Sequence, residues 1–342
     1  MKTSIIAILL TAFAGTALAQ PAGLTNAEVD TRLSVADPAD AVQQADSRWL
    51  AFSFPAIDGT HSPCCWKGNW KKNSEIGCSL EKETQSYGTL STAPLEENII
   101  AYVSVDDGKV KQMKIAGEQC PMDAGGQTVI WIGETEERAT LNWLDDLVRN
   151  GEQDDTGHPA LWAMALHAAD GANQRLHALA SEERQEMAEE SIFWLGEARG
   201  EAGYEALSEL LAELPAGDTR RHINFALSQN DSDQAAGLLV KIAQSDTDPE
   251  QRADALFWLA EEHPDTAQKI IMDVIENERD KEILERAVFA LSQLPEDVAG
   301  PALLDLVKDA DAPREARRQA MFWLAHEGDE ASVNELTEMI AR

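Results

Sequence analysis

Basic residues are scarce in this chain of 342 residues: 28 Lys and Arg stand against 61 Asp and Glu, a net charge of −33. A surface this negative is repelled by nucleic acid and by anionic lipid, so neither is expected as a partner. No segment after the first few residues reaches the roughly 20 apolar residues that a spanning helix needs, so no membrane span is expected. Gly-x-Ser-x-Gly, His-Glu-x-x-His and a phosphate-binding glycine loop are all missing, which removes the common signatures of nucleophilic, zinc and nucleotide chemistry. EF-hand spacing is missing too, so the acidity is not organised as calcium loops of that kind. Cys-x-x-Cys is also absent, which argues against a thiol redox motif and against paired zinc knuckles. No cofactor and no metal are expected.

The remaining features divide the chain. Lys2, the apolar run Ile5 to Ala14 and Ala17-Leu18-Ala19 before Gln20 read as a secretory signal, residues 1–19. The mature protein is therefore expected outside the cytoplasm, in the periplasm or the medium, without a lipid anchor, because no Cys follows the cleavage site. Residues 20–46 are poor in large apolar groups and read as a lead-in, with a short helix possible from Pro38.

Residues 47–149 carry the signals of a small α+β domain. Leu50, Phe52 and Phe54 alternate as a half-buried strand does, and Ile99, Ala101, Val103 and Val105 lead through Asp107-Gly108 into Val110 to Ile115, a hairpin signature. Thr128 to Ile132 reads as another strand, and Thr135 as the cap of a helix through Leu147. An antiparallel sheet of four or five strands under one helix is expected. All four cysteines of the chain, Cys64, Cys65, Cys78 and Cys120, lie here. In an exported protein an even number reads as two disulfides. A bond between the neighbours Cys64 and Cys65 would be strained, which leaves two pairings open. The competing reading is a metal site completed by His61. Trp66 to Lys72 is a basic, aromatic loop that could grip an anion or a saccharide, and Cys120 to Gly126 reads as a tight turn. Asn150 to Pro159 reads as a linker.

From residue 160 the chain repeats itself. Phe193-Trp194-Leu195, Phe225-Ala226-Leu227, Phe257-Trp258-Leu259, Phe289-Ala290-Leu291 and Phe322-Trp323-Leu324 follow at offsets of 32, 32, 32 and 33, and one period earlier stands Leu161-Trp162-Ala163. A fixed period in the low thirties signals stacked helical hairpins. Asp248-Pro249 opens the first helix of one unit and Pro264 the second. On that second helix Ala267, Ile270, Ile271, Val274 and Ile275 form one apolar stripe, matched by Ala235 to Ala243 and Ala299 to Val307 in the neighbouring units. Such stripes merge into one core only if hairpins stack side by side. About six repeats are expected, an α-solenoid filling residues 160–342. Residues 151–342 hold 41 of the 61 acidic side chains.

These residues resemble HEAT repeats in their short-period, phycobilisome-lyase-like form. Ala287 to Pro295 and Gln319 to Leu324 in particular are similar to exported bacterial HEAT-repeat proteins, and the Cys-containing domain resembles the leader domain of some of them. The resemblance implies an α-solenoid that binds other proteins, with no settled activity. It also brings in enzymes, since bilin lyases and the di-iron deoxyhypusine hydroxylase share the repeat type. The hydroxylase needs several His-Glu pairs, and only His326-Glu327 is one here. His158, His167, His177, His222 and His263 recur at no repeat position.

Within the array the middle residue alternates Trp194, Ala226, Trp258, Ala290, Trp323, so the true period is a double hairpin. The expected function is a non-enzymatic, exported scaffold in which Trp162, Trp194, Trp258 and Trp323 form a spaced ladder that anchors a protein partner. A basic or unfolded polypeptide suits the charge. The plainer explanation of the alternation is packing of large against small between repeats. The rival functions are a HEAT-repeat enzyme of lyase or hydroxylase type and a saccharide- or calcium-binding surface protein.

Overall fold

The computed structural model describes residues 20–67, 75–81, 86–328 and 330–340. The secretory signal and most of the Trp66 to Lys72 loop lie outside them. The chain divides into two compact units, Met1–Pro159 and Ala160–Arg342. Among the described residues no helix is long and apolar enough to cross a membrane.

The first unit runs β1 (Leu24–Thr25), β2 (Glu28–Asp30), α1 (Pro38–Gln44), β3 (Trp49–Pro55), β4 (His61–Lys67), β5 (Glu75–Ile76), β6 (Cys78–Ser79), β7 (Ser86–Leu95), β8 (Asn98–Asp106), β9 (Lys109–Gly117), β10 (Met122–Asp123), β11 (Thr128–Glu134) and α2 (Glu137–Asn150). Its main sheet has the order β2-β11-β3-β8-β9. The β8–β9 hairpin is the one its sequence announces, with Asp107 at φ 50° and Gly108 at φ 67° making the tight turn. The sheet is mixed, however, because β11 pairs in parallel with both β2 and β3. The expectation of a wholly antiparallel sheet fails because β11 returns between two earlier strands, a long-range pairing that alternation cannot reveal. β3 is buried on both faces instead of alternating, because α2 covers one face of the sheet and a cluster holding the four cysteines the other. Residues 20–46 supply β1, β2 and α1 to this unit, and α1 does start at Pro38, behind an Asp37 cap. Glu136, one residue after the expected Thr135, caps α2 by accepting from the Ala139 N–H.

One face of the main sheet meets α2, where Phe52 and Trp143 pack edge to face at 5.6 Å. The other covers a cluster containing all four cysteines with Ala51, Leu80, Tyr102, Met122 and Trp131. The bonds are Cys64–Cys120 and Cys65–Cys78. They lie side by side, with the Cys78 and Cys120 sulfurs 3.9 Å apart. No thiol is left free to hold a metal, which overturns the metal reading of these residues.

After a π-helical turn over Gln153–Gly157, the second unit is helical: α3 (His158–Leu166), α4 (Gly171–Ala180), α5 (Gln185–Ala198), α6 (Gly200–Glu213), α7 (Asp218–Gln229), α8 (Ala235–Ser245), α9 (Pro249–Glu262), α10 (Pro264–Asn277), α11 (Lys281–Ser292), α12 (Glu296–Lys308), α13 (Arg314–Glu327) and α14 (Glu330–Ile340). This is an α-solenoid. The odd-numbered helices from α5 to α13 each lie against the next odd one and make the tighter layer. The stripes foreseen on α8, α10 and α12 are its core: Leu239, Ile242, Ala267, Ile271, Ile275, Leu303 and Leu306 are buried. Asp248 accepts from the Glu250 N–H ahead of Pro249, the start that the sequence announces. Gly196 permits the close approach of α5 to α7, since a Cβ there would stand 2.2 Å from the Ala226 carbonyl oxygen.

Helix ends leave carbonyls without partners, and here the next unit answers them. Arg199, nearly fully buried, donates to the carbonyls of Ala165 (3.0 Å), His167 (2.6 Å) and Ala169 (3.5 Å) and to the Asn173 side chain (2.6 Å). Burial pushes its guanidinium down to about 10, still charged at neutral pH. One unit later Asn230 donates to the carbonyls of Gly196 and Gly200 at 3.1 and 2.9 Å. Asn224 and Gln251, both fully buried, join α7 to α9 by reciprocal hydrogen bonds of 2.9 Å.

Two outcomes follow for stability. Replacing Cys64 and Cys120 by Ala should cost about 4 kcal/mol and replacing Cys65 and Cys78 about 3 kcal/mol, because the first pair closes the longer loop; urea unfolding of the two double variants gives the order. His167 is buried, and burial, with Arg199 and Arg175 adding repulsion, depresses its pKa from 6.5 to about 4. Between those values the unfolded chain binds the proton and the folded chain does not. This contribution, up to about 3 kcal/mol, is therefore present above pH 6.5 and lost as the pH falls toward 4. A His167→Gln variant should show a shallower fall in stability across that window than the parent.

Candidate protein-binding surface

The repeated Phe and Trp residues sit at adjacent positions on the odd-numbered helices, while Leu195, Leu227, Leu259, Leu291 and Leu324 beside them are fully buried. Adjacent positions on a helix point about 100° apart, so where Leu takes the core the aromatics fall on the boundary between core and solvent. Phe193, Trp194, Phe225, Phe257, Trp258, Phe289 and Trp323 are half-buried, Trp162 is 9% exposed, and Phe322 is 48% exposed.

The rings touch from unit to unit. Trp162 stacks on Trp194 with centroids 5.5 Å apart, and Phe193 on Phe225 at 5.9 Å. Phe225 then meets Trp258 at 4.6 Å, Phe257 stacks on Phe289 at 6.0 Å, and Phe289 meets Trp323 at 5.1 Å. Within each Phe-Trp unit the two rings contact edge-on at 4.9 to 5.1 Å. The result is one unbroken ladder across α3, α5, α7, α9, α11 and α13, ending where Phe322 stacks on His326 at 4.3 Å.

The double-hairpin period has a geometric cause. From a Phe-Trp unit to a Phe-Ala unit the Phe rings stack nearly parallel, at 14° and 3°. From a Phe-Ala unit to a Phe-Trp unit the Phe meets Trp tilted at 40° and 46°. Ala226 and Ala290 are fully buried, so no second ring occupies those places. The four tryptophans singled out from the sequence all belong to this row. Phe193, Phe225, Phe257, Phe289 and Phe322 belong equally, although the sequence reading used them only to mark the repeat frame. Their recurrence in every unit was the available signal.

A charged row runs beside the ladder. Trp194 donates its indole N–H to Glu190 at 3.2 Å. Arg221 on α7 reaches Asp254 on α9 at 3.3 Å, and Arg286 on α11 reaches Asp254 at 3.7 Å and Glu250 at 2.8 Å. Arg318 on α13 reaches Glu285 at 3.4 Å. Burial raises the Asp254 pKa against the pull of Arg221 and Arg286. Acids outnumber arginines along the row, since Glu189, Glu190, Glu282 and Glu315 join them. The surface therefore offers ring faces bordered by surplus negative charge, and such faces take cationic side chains.

Other sites considered from the sequence stay dispersed. Trp66 packs against the cystine cluster, and Gly125 and Gly126 take positive φ of 63° and 86° in the expected turn. His326 lies at the exposed end of the ladder, its Nδ1 3.1 Å from the Phe322 carbonyl oxygen. His177 faces Glu209 and Glu213, and His222 faces Glu189. Among the described residues, the one group of side chains with metal-ligand spacing is Cys64, Cys78 and Cys120.

Residues 235–321 match the family model for HEAT repeats. That stretch, α8 to most of α13, is similar to HEAT repeats. No curated protein matches the chain. Among solved structures, the complex of CpcE and CpcF of phycocyanin lyase from Nostoc sp. PCC7120 aligns with 19% identity over 45% of this chain and 99% of that one, at a TM-score of 0.33. Human deoxyhypusine hydroxylase in complex with glycerol aligns with 13% identity over 59% of this chain and 90% of that one, at a TM-score of 0.26.

The ladder also bears load. Phe225 has rings on both sides, so Phe225→Ala should lower stability by about 2 kcal/mol, less than for a fully buried ring. Chemical unfolding gives the magnitude, and the near-UV circular dichroism band of Trp258 should weaken with it.

Proposed function

We propose that this protein is an exported scaffold, without catalysis of its own, that binds a polypeptide on the odd-helix face of its solenoid. The observation that carries the reading is the aromatic ladder itself. Rings that served packing alone would be expected to close off from water; these stay only partly buried over five successive odd-numbered helices and open further at Phe322. Large, rigid aromatics at a contact face lose little side-chain entropy on binding and dominate interface energies. The acidic border selects a basic segment, or an unfolded chain whose lysines and arginines are accessible, by steering and by cation–π contact. Export rests on the Lys2 to Ala19 segment, and two disulfides suit an oxidising compartment.

The test is binding of fluorescein-labelled 20-residue peptides, one rich in Lys and Arg and one rich in Asp and Glu. It uses the mature protein and a Trp194→Gln, Trp258→Gln, Trp323→Gln variant confirmed as helical by circular dichroism. The basic peptide should bind at least tenfold more tightly than the acidic one, lose affinity with added salt, and lose at least fivefold in the variant. Equal binding by folded parent and variant would sink the reading. Stoichiometric metal or a small molecule carried by the purified protein, with neither peptide bound, would move the enzyme alternative ahead.

A further inference from the structure

The rings divide each odd-numbered helix into two halves of different charge. The arginines that pair beside the ladder, Arg221, Arg286 and Arg318, all precede the rings on their helices. Beyond the rings the cations stop. No Lys or Arg occurs between Arg221 and Lys241, between Arg252 and Lys269, or between Arg286 and Lys308. Past the rings of α5 the first cation is Arg199, which is buried on carbonyls of the preceding unit. The residue four places after each Phe, on the same helical stripe, reads Glu197, Gln229, Glu261, Gln293 and His326. From α5 to α11, carboxylate and amide thus alternate in step with Trp and Ala.

Glu197 and Glu261 are exposed and have no ion pair or hydrogen bond among the described residues. Desolvation by its surroundings raises the Glu197 pKa, and no cation opposes it. Gln229 and Gln293 donate their amide N–H to Ser228 and Ser292, at 3.2 and 3.1 Å, and those serines donate to the Phe225 and Phe289 carbonyls. Each glutamine is left with its side-chain carbonyl oxygen to offer. Helix stability does not explain the two acids. Glu250, Glu282 and Glu315 lie in the first turns of α9, α11 and α13, where the helix dipole favours them. Glu197 and Glu261 lie in the last turns of α5 and α9, where the dipole opposes negative charge and no basic residue accompanies them. A recurring charge that weakens its own helix points to a cation from outside the chain.

Packed helices lie about 8–10 Å apart, so α5 and α9, with α7 between them, stand about 16–20 Å apart. An extended chain covers that distance in about five or six residues, and only an even number returns a side chain to the same face. We propose, resting on the polypeptide-binding reading above, that the partner crosses the odd-numbered helices as an extended segment on the C-terminal side of the rings. One cationic side chain sits at Glu197 beside Phe193, and another, about six residues along, at Glu261 beside Phe257. Gln229, between them, accepts a main-chain N–H of the segment. The arginine-bearing side of the ladder is left to the chain's own ion pairs.

The experiment measures fluorescence anisotropy of two labelled peptides of identical composition titrated with the mature protein. Two arginines stand six residues apart in one peptide and three apart in the other, among Ser, Thr and Leu. The six-residue spacing should bind about threefold more tightly, the worth of one exposed charge contact that the shorter spacing cannot reach. Glu197→Gln and Glu261→Gln should each remove that preference without lowering the unfolding midpoint, because neither acid supports its helix. Glu276→Gln, which removes an exposed acid on α10, should leave the preference intact and so controls for bulk charge. Equal binding of the two peptides, or a preference untouched by the Glu197 and Glu261 variants, overturns the extended register and leaves the polypeptide-binding reading standing. Binding of neither peptide overturns both.

Discussion

A helical hairpin with one apolar stripe cannot bury that stripe by itself, and the whole second unit depends on this constraint. Each hairpin of this array is stable because the next one covers it, so every device in the unit acts between neighbours. Leu and Ile stripes merge into a continuous core, Gly196 lets backbones approach, and Asn224 clasps Gln251. Arg199 and Asn230 finish the previous unit's helix end, where unpaired carbonyls would otherwise be buried. The cost of losing one such contact falls on two hairpins at once.

The same nearest-neighbour logic produces the surface. Leu takes the core position of each odd-numbered helix, and the residues before it are forced to the rim. Placing aromatics there joins the units by ring contacts and also leaves ring faces at the water boundary. A row of ion pairs runs alongside, yet acids exceed arginines, so the rim keeps a negative bias after internal pairing. One arrangement thereby serves cohesion and supplies the face on which the proposed cationic segment would dock.

The first unit solves a different problem. Beside its five-stranded main sheet, the sheet formed by β1, β10 and β6 has only two-residue strands and little area with which to build a core. Two adjacent disulfides at the centre of the cystine cluster substitute for that area. Cys64–Cys120 ties β4 to the distant turn before β10, and Cys65–Cys78 ties it to β6, closures that loop entropy alone would disfavour.

The sequence by itself determined everything governed by local period or local chemistry. The 32-residue repeat gave the hairpins, the 64-residue alternation gave the double unit, Asp248-Pro249 gave a helix start, and Asp107-Gly108 gave a hairpin turn. It also placed Trp162, Trp194, Trp258 and Trp323 on one recurring face. Only the tertiary structure decided what depends on pairs distant along the chain. These are the parallel return of β11 between β2 and β3, the choice of Cys64–Cys120 with Cys65–Cys78, the membership of the Phe rings in the ladder, and the pairing of Arg220 with Asp246 and of Arg252 with Glu278. The physical reason is common to all four. A side chain's residue type fixes which partner it can accept, but which partner it meets is set by how whole elements stack.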